Sequence, residues 1–181
     1  MKNILVPLGV SENAENTLSY AIELALTIHS TLYVMDSFHP SFHNAHLLNA
    51  KQAVENNNTK RIKELVQRIE HKGVDIQIVR YEGDVLSGIA SLDEKVNLDL
   101  ILSGPMPNTD NEAVFLGPTA GKLVKKTDIP VLIVPEDFSF TSPKKALFAF
   151  KKGKIKGDRS LAPVHFYQQN FATKIDLLLV K

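Results

Sequence analysis

Short apolar runs alternate with segments of helical periodicity along the first three quarters of the chain, and this alternation is the strongest constraint on its fold. Residues 3–8 are almost continuously apolar, as expected of a parallel strand that is buried on both faces. In the next segment, Leu18, Ile22 and Ala25 recur at spacings of four and three, which is the period of an amphipathic helix. The sequence therefore predicts strands that alternate with helices. The predicted strands are residues 3–8, 31–35, 75–81, 98–102 and 129–134.

Five such strands joined by four helices predict an α/β fold with a doubly wound, five-stranded parallel sheet and helices on both of its faces. In sheets of this kind, ligands bind beyond the carboxyl ends of the strands, where the strand order reverses. We therefore expect a functional site built from Gly9, the loop after Met35 and the segment from Ser103 to Gly117.

Composition excludes several classes of protein. A chain of 181 residues that is 44% hydrophobic can build a well-packed core without disulfides or metals. It contains no cysteine, which excludes disulfides and thiolate metal sites. No apolar run approaches the roughly 18 residues of a membrane span, and the first residues lack the apolar region of a signal peptide. We therefore expect a cytoplasmic protein that does not contact a membrane.

The strand and helix pattern stops after Pro135 and then begins again. Residues 144–150 repeat the pattern of residues 2–8 at a displacement of 142, and residues 173–178 repeat that of residues 30–35 at a displacement of 143. Two matches at nearly the same displacement indicate an internal repeat. The sequence therefore predicts a complete domain over residues 1–136, a linker over 137–143 and an incomplete second copy, strand–helix–strand, over 144–181.

Charge divides the chain at the same place. Residues 144–181 hold nine basic and two acidic residues, a net charge of +7, whereas the residues before them hold 12 basic and 18 acidic ones, a net of −6. An acidic domain repels phosphate, and no aromatic residue alternates with the lysines of residues 151–157 as a stacking platform requires. We therefore expect no nucleic-acid partner and interpret residues 151–157 as a solvated loop.

Four segments together resemble the universal stress protein family. They are residues 2–7, the helix over 18–25, the strand segment 98–104 and the final strand segment 128–135. The likeness covers residues 1–136 and, more weakly, the start of a second copy, so the chain resembles a tandem-type member with an incomplete second domain. The resemblance implies the adenine nucleotide alpha hydrolase-like fold and a role in the stress response.

The resemblance also implies a place for a nucleotide. Family members that bind ATP carry a phosphate loop of the form Gly-x-x-Gly, nine residues, Gly-Ser/Thr. Here Gly104 and Gly117 keep the first and third glycine positions, but Pro107 and Pro118 replace the second glycine and the hydroxyl residue, and Thr119 follows one place later. Each proline removes an N–H donor and fixes φ near −65°. The loop is therefore expected to hold phosphate poorly.

Other residues near the expected site also indicate weak ATP binding. Gly9 stands where ATP-binding members carry an aspartate after the first strand, and Asp110 and Glu112 add negative charge that disfavours a triphosphate. Asp36, at the predicted end of the second strand, either faces a ligand or caps the following loop, and we favour the cap. The sequence thus predicts a degenerate ATP site. Its candidate residues are Gly9, Asp36, Gly104, Gly117 and Thr119.

Two functions remain open for this domain. The first is a non-enzymatic stress-response module with a degraded ATP site and no fixed cofactor, which acts through dimerisation or an unidentified protein partner. The alternative is a nucleotide-responsive module that still binds AMP or ATP through the loop from Gly104 to Thr119, with weak ATP hydrolysis left open. In the family that the chain resembles, the final strand pairs across a two-fold axis or with the second domain of a tandem chain. We expect the strand from Ile129 to Val134 to pair with another chain and form a homodimer.

A histidine cluster supports a third, enzymatic hypothesis. His39, His43 and His46 are spaced four and three residues apart, which on a helix would place three possible metal ligands on one side. Pro40 argues against a helix that begins so early, and no His-Glu-x-x-His motif is present. We therefore interpret the segment as a polar loop, with a metal-dependent hydrolase as the less favoured possibility.

Overall fold

The computed structural model describes residues 2–9, 13–38, 58–105, 117–151 and 161–180, with only the backbone described at 117–119. The chain divides into two compact units, Met1–Phe140 and Thr141–Lys181. Phe138 and Phe140 belong to the first unit because both rings pack against Tyr20, with ring centroids 6.4 and 5.3 Å away.

The described part of the first unit alternates strands with helices, as the sequence predicts. The strands are β1 (Asn3–Pro7), β2 (Thr31–Phe38), β3 (Ile76–Glu82), β4 (Leu100–Ser103) and β5 (Val131–Ile133). The helices are α1 (Ala14–Ile28), α2 (58–68), α3 (Val85–Val96) and α4 (Gly117–Lys126).

All five strands form one parallel sheet in the order β3-β2-β1-β4-β5. Strands β2 and β3 lie on one side of β1, and β4 and β5 lie on its other side. The order therefore reverses between β1 and β4, which makes their carboxyl ends the switch point of the sheet. The predicted doubly wound α/β fold is confirmed.

One face of this sheet packs against α3 and α4. Leu5 of β1 and Met35 of β2 belong to a buried cluster with Ile89 and Leu92 of α3 and Leu123 of α4. Each of these five side chains is at most 7% exposed. Burial on this scale supplies the main stabilisation of the unit.

The opposite face packs against α1 and α2. Because side chains alternate along a strand, Ile4 and Val6 point away from Leu5, and both are fully buried. Helix α1 contacts β1 and β2, and an ion pair of 2.5 Å between Arg68 Nη2 and Glu15 Oε2 joins the end of α2 to α1. The sheet is therefore covered on both faces, which explains the continuous apolar runs.

All five strands differ from their predicted bounds by one to three residues at one or both ends, and β2 and β5 show the physical reason most clearly. Strand β2 continues three residues beyond Met35 because it keeps pairing with β3 as far as Phe38 and Glu82. Strand β5 is shorter than residues 129–134 because its partner β4 has only four residues, and pairing covers Val131–Ile133.

The second unit contains β6 (Lys145–Lys151), α5 (Ala162–Phe171) and β7 (Lys174–Val180) among its described residues. The two strands pair in parallel, with Lys145 opposite Lys174. Phe166 of α5 is buried, and its ring packs edge to face on Phe171 at a centroid distance of 5.8 Å.

This second unit repeats the backbone geometry of β1-α1-β2. In the first unit the amide of Thr31 donates to the carbonyl of Lys2 at 2.8 Å, and in the second the amide of Lys174 donates to the carbonyl of Lys144 at 3.0 Å. Both helices end at a left-handed residue, His29 with φ 54° and Ala172 with φ 51°. The displacements of 142 and 143 residues found in the sequence therefore relate equivalent backbone positions.

Candidate functional site

A crevice of about 520 Å³ opens at the switch point of the first unit, at the carboxyl ends of β1 and β4. Leu8 and Gly9 border it after β1, and Ser103 and Gly104 border it at the end of β4. This is the edge at which a doubly wound sheet binds its ligands. Its other lining residues include Thr17, Asp36, Asn58, Ile62, Asp84, Val85, Lys122 and Lys126.

Gly9 leaves open space at the β1 end of the crevice. Among the described residues, no atom lies within 4 Å of a Cβ atom built on Gly9. Packing of these residues therefore does not require a glycine here.

Gly104 has a packing role at the β4 end. A Cβ atom on Gly104 would lie 2.5 Å from Thr17 Oγ1, and Thr17 on α1 is itself buried. Only glycine permits this close approach between the end of β4 and α1. The presence of Gly104 is thus explained without a ligand.

Asp36 lies inside β2 and lines the crevice. Its carboxylate is buried, with the residue 6% exposed, and its Oδ2 accepts a hydrogen bond of 2.8 Å from Thr59 Oγ1 on α2. Asp36 is not at the strand end that the sequence predicts, because β2 extends beyond Met35 and places Asp36 opposite Arg80 in the sheet. The loop that follows β2, which Asp36 was interpreted to cap, lies outside the described residues.

The sequence profile of the universal stress protein family matches residues 1–135, the segment that forms this sheet and crevice. The chain belongs to the universal stress protein family. No curated protein matches the sequence significantly, so the solved structures supply the nearest comparisons.

Three solved universal stress proteins share the fold at low sequence identity. UspA from Lactobacillus plantarum has a TM-score of 0.62 and 17% identity, over 74% of this chain and 97% of that one. A universal stress protein in complex with cAMP has a TM-score of 0.58 and 18% identity, over 74% and 96%. The Archaeoglobus fulgidus protein in complex with dAMP has a TM-score of 0.52 and 16% identity, over 74% and 96%.

Two lysines on α4 face the crevice of this universal stress protein, and the sequence analysis missed them. Lys122 and Lys126 both line the crevice, whereas their neighbour Lys125 is not among its lining residues. A spacing of four residues places two side chains on one face of a helix. Because α4 was already predicted to begin at Gly117, that spacing was the signal that could have identified them.

Asp84 adds a carboxylate to the same crevice. It precedes α3 and caps it, since Oδ1 accepts from the amides of Leu86 and Ser87 at 3.0 and 3.2 Å. A hydrogen bond from the Ser87 hydroxyl, together with these amides, lowers the pKa of Asp84. The side chain therefore stays ionised to a lower pH than an ordinary aspartate.

The remaining candidate residues lie partly or wholly outside the described part of the chain. Helix α4 begins at Gly117 with Pro118 second, as predicted, but the side chain of Thr119 is not described. Outside the described residues lie Pro107, Asp110, Glu112, His39, His43 and His46.

The residues that the structure describes contain neither a candidate metal centre nor a candidate membrane span. Among them, no group of three His, Asp or Glu side chains is arranged to hold a metal ion. None of the helices in these segments is long and apolar enough to cross a membrane.

Proposed function

We propose that this chain is a non-enzymatic universal stress protein module of the cytoplasm that acts through self-association or partner binding, with an ATP site that has lost its triphosphate contacts. The observation that carries the proposal is that the crevice lacks two groups expected to contact ATP. Gly9 supplies no carboxylate at the β1 end of the crevice, and the second residue of α4 is Pro118, which has no N–H to offer phosphate.

Of the two glycines that the phosphate loop retains, Gly104 is not evidence for ATP binding. Gly104 is required by its approach to Thr17, so packing alone retains it. Asp36 and Asp84 line the crevice together with Lys122 and Lys126, so the charged side chains among its described lining residues give it no net positive charge for a triphosphate. These features support a degenerate site.

A calorimetric titration with Mg-ATP tests this proposal. The wild-type chain is compared with a Gly9→Asp, Pro107→Gly, Pro118→Ser variant that restores the family's expected groups. We expect no binding by the wild type and binding by the variant. Low-micromolar binding by the wild type, about −8 kcal/mol, would overturn the degenerate-site proposal. If neither protein binds Mg-ATP, the lost contacts are not the reason that the wild type fails to bind it.

Self-association is proposed through β5, which lies at the edge of the sheet. The Val134 amide donates to the Ser103 carbonyl at 3.0 Å, and the Pro130 carbonyl accepts from the Ile101 amide at 2.9 Å. Because amides alternate in direction along a strand, Ile133 directs its backbone groups to the open edge. Such an edge is normally paired or covered.

Sedimentation velocity over a concentration series tests this assembly. We expect a dimer for the wild type and for Ile133→Val, and a monomer for Ile133→Pro, which removes an outward N–H. A monomeric wild type at micromolar concentration would contradict self-association. A dimer that persists in Ile133→Pro would place the interface elsewhere.

A second candidate function is recognition of an AMP-type nucleotide, favoured by the two lysines on α4. Two solved relatives are described in complex with cAMP and dAMP. In this chain Lys122 and Lys126 bring two ammonium groups to the crevice, and a monophosphate would contact them with less repulsion from Asp36 and Asp84 than a triphosphate. Backbone donors of the phosphate loop would then be less necessary.

Titration with AMP separates the two candidates. If the lysines hold the phosphate, Lys122→Ala and Lys126→Ala should each weaken AMP binding about tenfold, whereas Lys125→Ala on the same helix should leave it unchanged. Equal effects of all three substitutions would indicate a general charge effect. No AMP binding by the wild type would remove this candidate.

A further inference from the structure

The second unit presents a sheet face that is rich in apolar side chains and exposed. By strand alternation and the β6–β7 register, the odd-numbered residues of β6 share one face with the even-numbered residues of β7. We call this set of side chains the open face. Its members are Lys145, Leu147, Ala149, Lys151, Lys174, Asp176, Leu178 and Val180.

Exposure on the open face is high for its apolar members. Leu147 is 63% exposed, Leu178 45% and Val180 46%. On the other face, which the right-handed connection assigns to α5, Ala146, Phe148 and Phe150 of β6 are half-buried, whereas Leu177 and Leu179 of β7 are 70% and 52% exposed. A unit of about 40 residues buries too little surface to be stable by itself in most cases, so a covering partner would add stability.

The first unit shows what covers the equivalent face. At a displacement of 142, Leu147 corresponds to Leu5, and at 143, Leu178 corresponds to Met35. Leu5 and Met35 are at most 1% exposed, because α3 packs on them through Ile89. A helix is therefore the element that this strand geometry accommodates.

The charged side chains of the open face indicate which kind of helix can bind to it. Three lysines, Lys145, Lys151 and Lys174, flank the apolar centre of the open face, and Asp176 is its single acid, 3.9 Å from Lys174 Nζ. Residues 144–181 carry a net charge of +7. A second copy on the same face would bring lysines against lysines, whereas carboxylates beside an apolar stripe would complement them.

We propose that the open face binds an amphipathic helix of a partner protein, with an apolar stripe flanked by glutamate or aspartate. The apolar stripe would contact Leu147 and Leu178, and the flanking carboxylates would pair with Lys145, Lys151 and Lys174. Helix-in-groove recognition of this kind reads apolar residues at positions i, i+3, i+4 and i+7.

Two synthetic helical peptides test the proposal on the full chain. Both are of about 18 residues and carry leucine at the apolar positions, but one has glutamate flanks and the other lysine flanks. Fluorescence anisotropy should show at least tenfold tighter binding of the glutamate peptide at low salt, with the difference shrinking at high salt. Equal affinity for the two peptides, or no binding of the glutamate peptide, would overturn the proposal.

A matched pair of leucines locates the binding surface. Leu147→Asp on the open face should weaken glutamate-peptide binding at least tenfold. Leu177→Asp is the control, because Leu177 is 70% exposed and lies on the opposite face of the same sheet. Equal loss in both variants would move the site away from the open face.

Charge reversal gives a readout that a folding defect would not produce. A Lys145→Glu, Lys151→Glu variant should reverse the preference and bind the lysine peptide more tightly. Unchanged preference would overturn the charge argument.

Two other occupants of the open face are tested with the same leucine variant. Vesicles of phosphatidylserine that bind the wild type but not Leu147→Asp would identify a membrane as the occupant. A dimer that Leu147→Asp dissociates would identify a second copy. Either result would replace the helix proposal.

Discussion

The two β-α-β segments of this chain have the same backbone geometry and opposite exposure. In the first, Leu5 is fully buried beneath α3 and α4, and in the second its counterpart Leu147 is 63% exposed. Apolar residues predominate in β1 and β2 and also in their counterparts β6 and β7. The comparison teaches that apolar pattern determines the strand pairing, whereas burial depends on the helices that follow, and the described part of the second unit has only α5.

The largest difference is expected from truncating the matched leucines. Leu5→Ala should lower the free energy of unfolding by about 2–5 kcal/mol because it leaves a cavity in a packed core. Leu147→Ala should change it by less than about 0.5 kcal/mol, as for other exposed positions. Urea unfolding followed by circular dichroism measures both. A cost for Leu147→Ala equal to that of Leu5→Ala would show that the open face is covered.

The next largest effect on stability is expected at Gly104, which makes a close contact with α1 in the covered first unit. Gly104→Ala should destabilise the chain by about 1–3 kcal/mol, since its Cβ would lie 2.5 Å from Thr17 Oγ1. Gly9→Ala, with open space around it, is the control on the other side of the crevice.

The double variant Gly104→Ala, Thr17→Ala separates this clash from other causes. Removal of the Thr17 hydroxyl should recover part of the loss, and a double-mutant cycle from thermal unfolding would give a coupling free energy. Strict additivity would contradict the steric explanation.

The helix ends provide a smaller effect that the two segments should share. His29 and Ala172 both adopt positive φ, 54° and 51°, where glycine is preferred. His29→Gly and Ala172→Gly should each stabilise their own segment by roughly 0.5–1 kcal/mol. Thermal unfolding with residue-resolved NMR measures the two separately. Destabilisation by one of them would show that the two turns are not equivalent.

The smallest effect concerns the cap of α3, the helix that covers the first unit. Asp84 has a lowered pKa in the folded chain through its hydrogen bonds with Ser87 and Leu86. Its stabilising contribution is therefore present above the unfolded-state pKa and is lost as the pH falls through the folded-state value. The wild type should be more stable than Asp84→Asn near neutral pH, and this advantage should disappear on acidification. An advantage that is constant with pH would contradict this linkage.

The fold could be predicted from the sequence because its signal is local and repeated. Apolar runs such as residues 3–8 and the helical spacing of Leu18, Ile22 and Ala25 specify strands and helices without reference to distant residues. The repeat displacement in the sequence corresponds to equivalent hydrogen bonds in the two segments, those of Thr31 and Lys174.

The site was less predictable because it depends on pairs far apart in sequence. The role of Gly104 follows from its contact with Thr17, 87 residues earlier, and the place of Asp36 follows from strand pairing with β3. The exposure of the open face could not be predicted either, because residues 177–180 of β7 form the continuous apolar run of a buried strand.

Amide hydrogen exchange of the full chain tests most directly whether the two segments differ only in what covers them. We predict slow exchange in β1 and β2, fast exchange in β6 and β7, and slowing of β6 and β7 when the glutamate-flanked peptide is added. Equal protection of both strand pairs in the free chain, or no change in β6 and β7 with the peptide, would contradict the account.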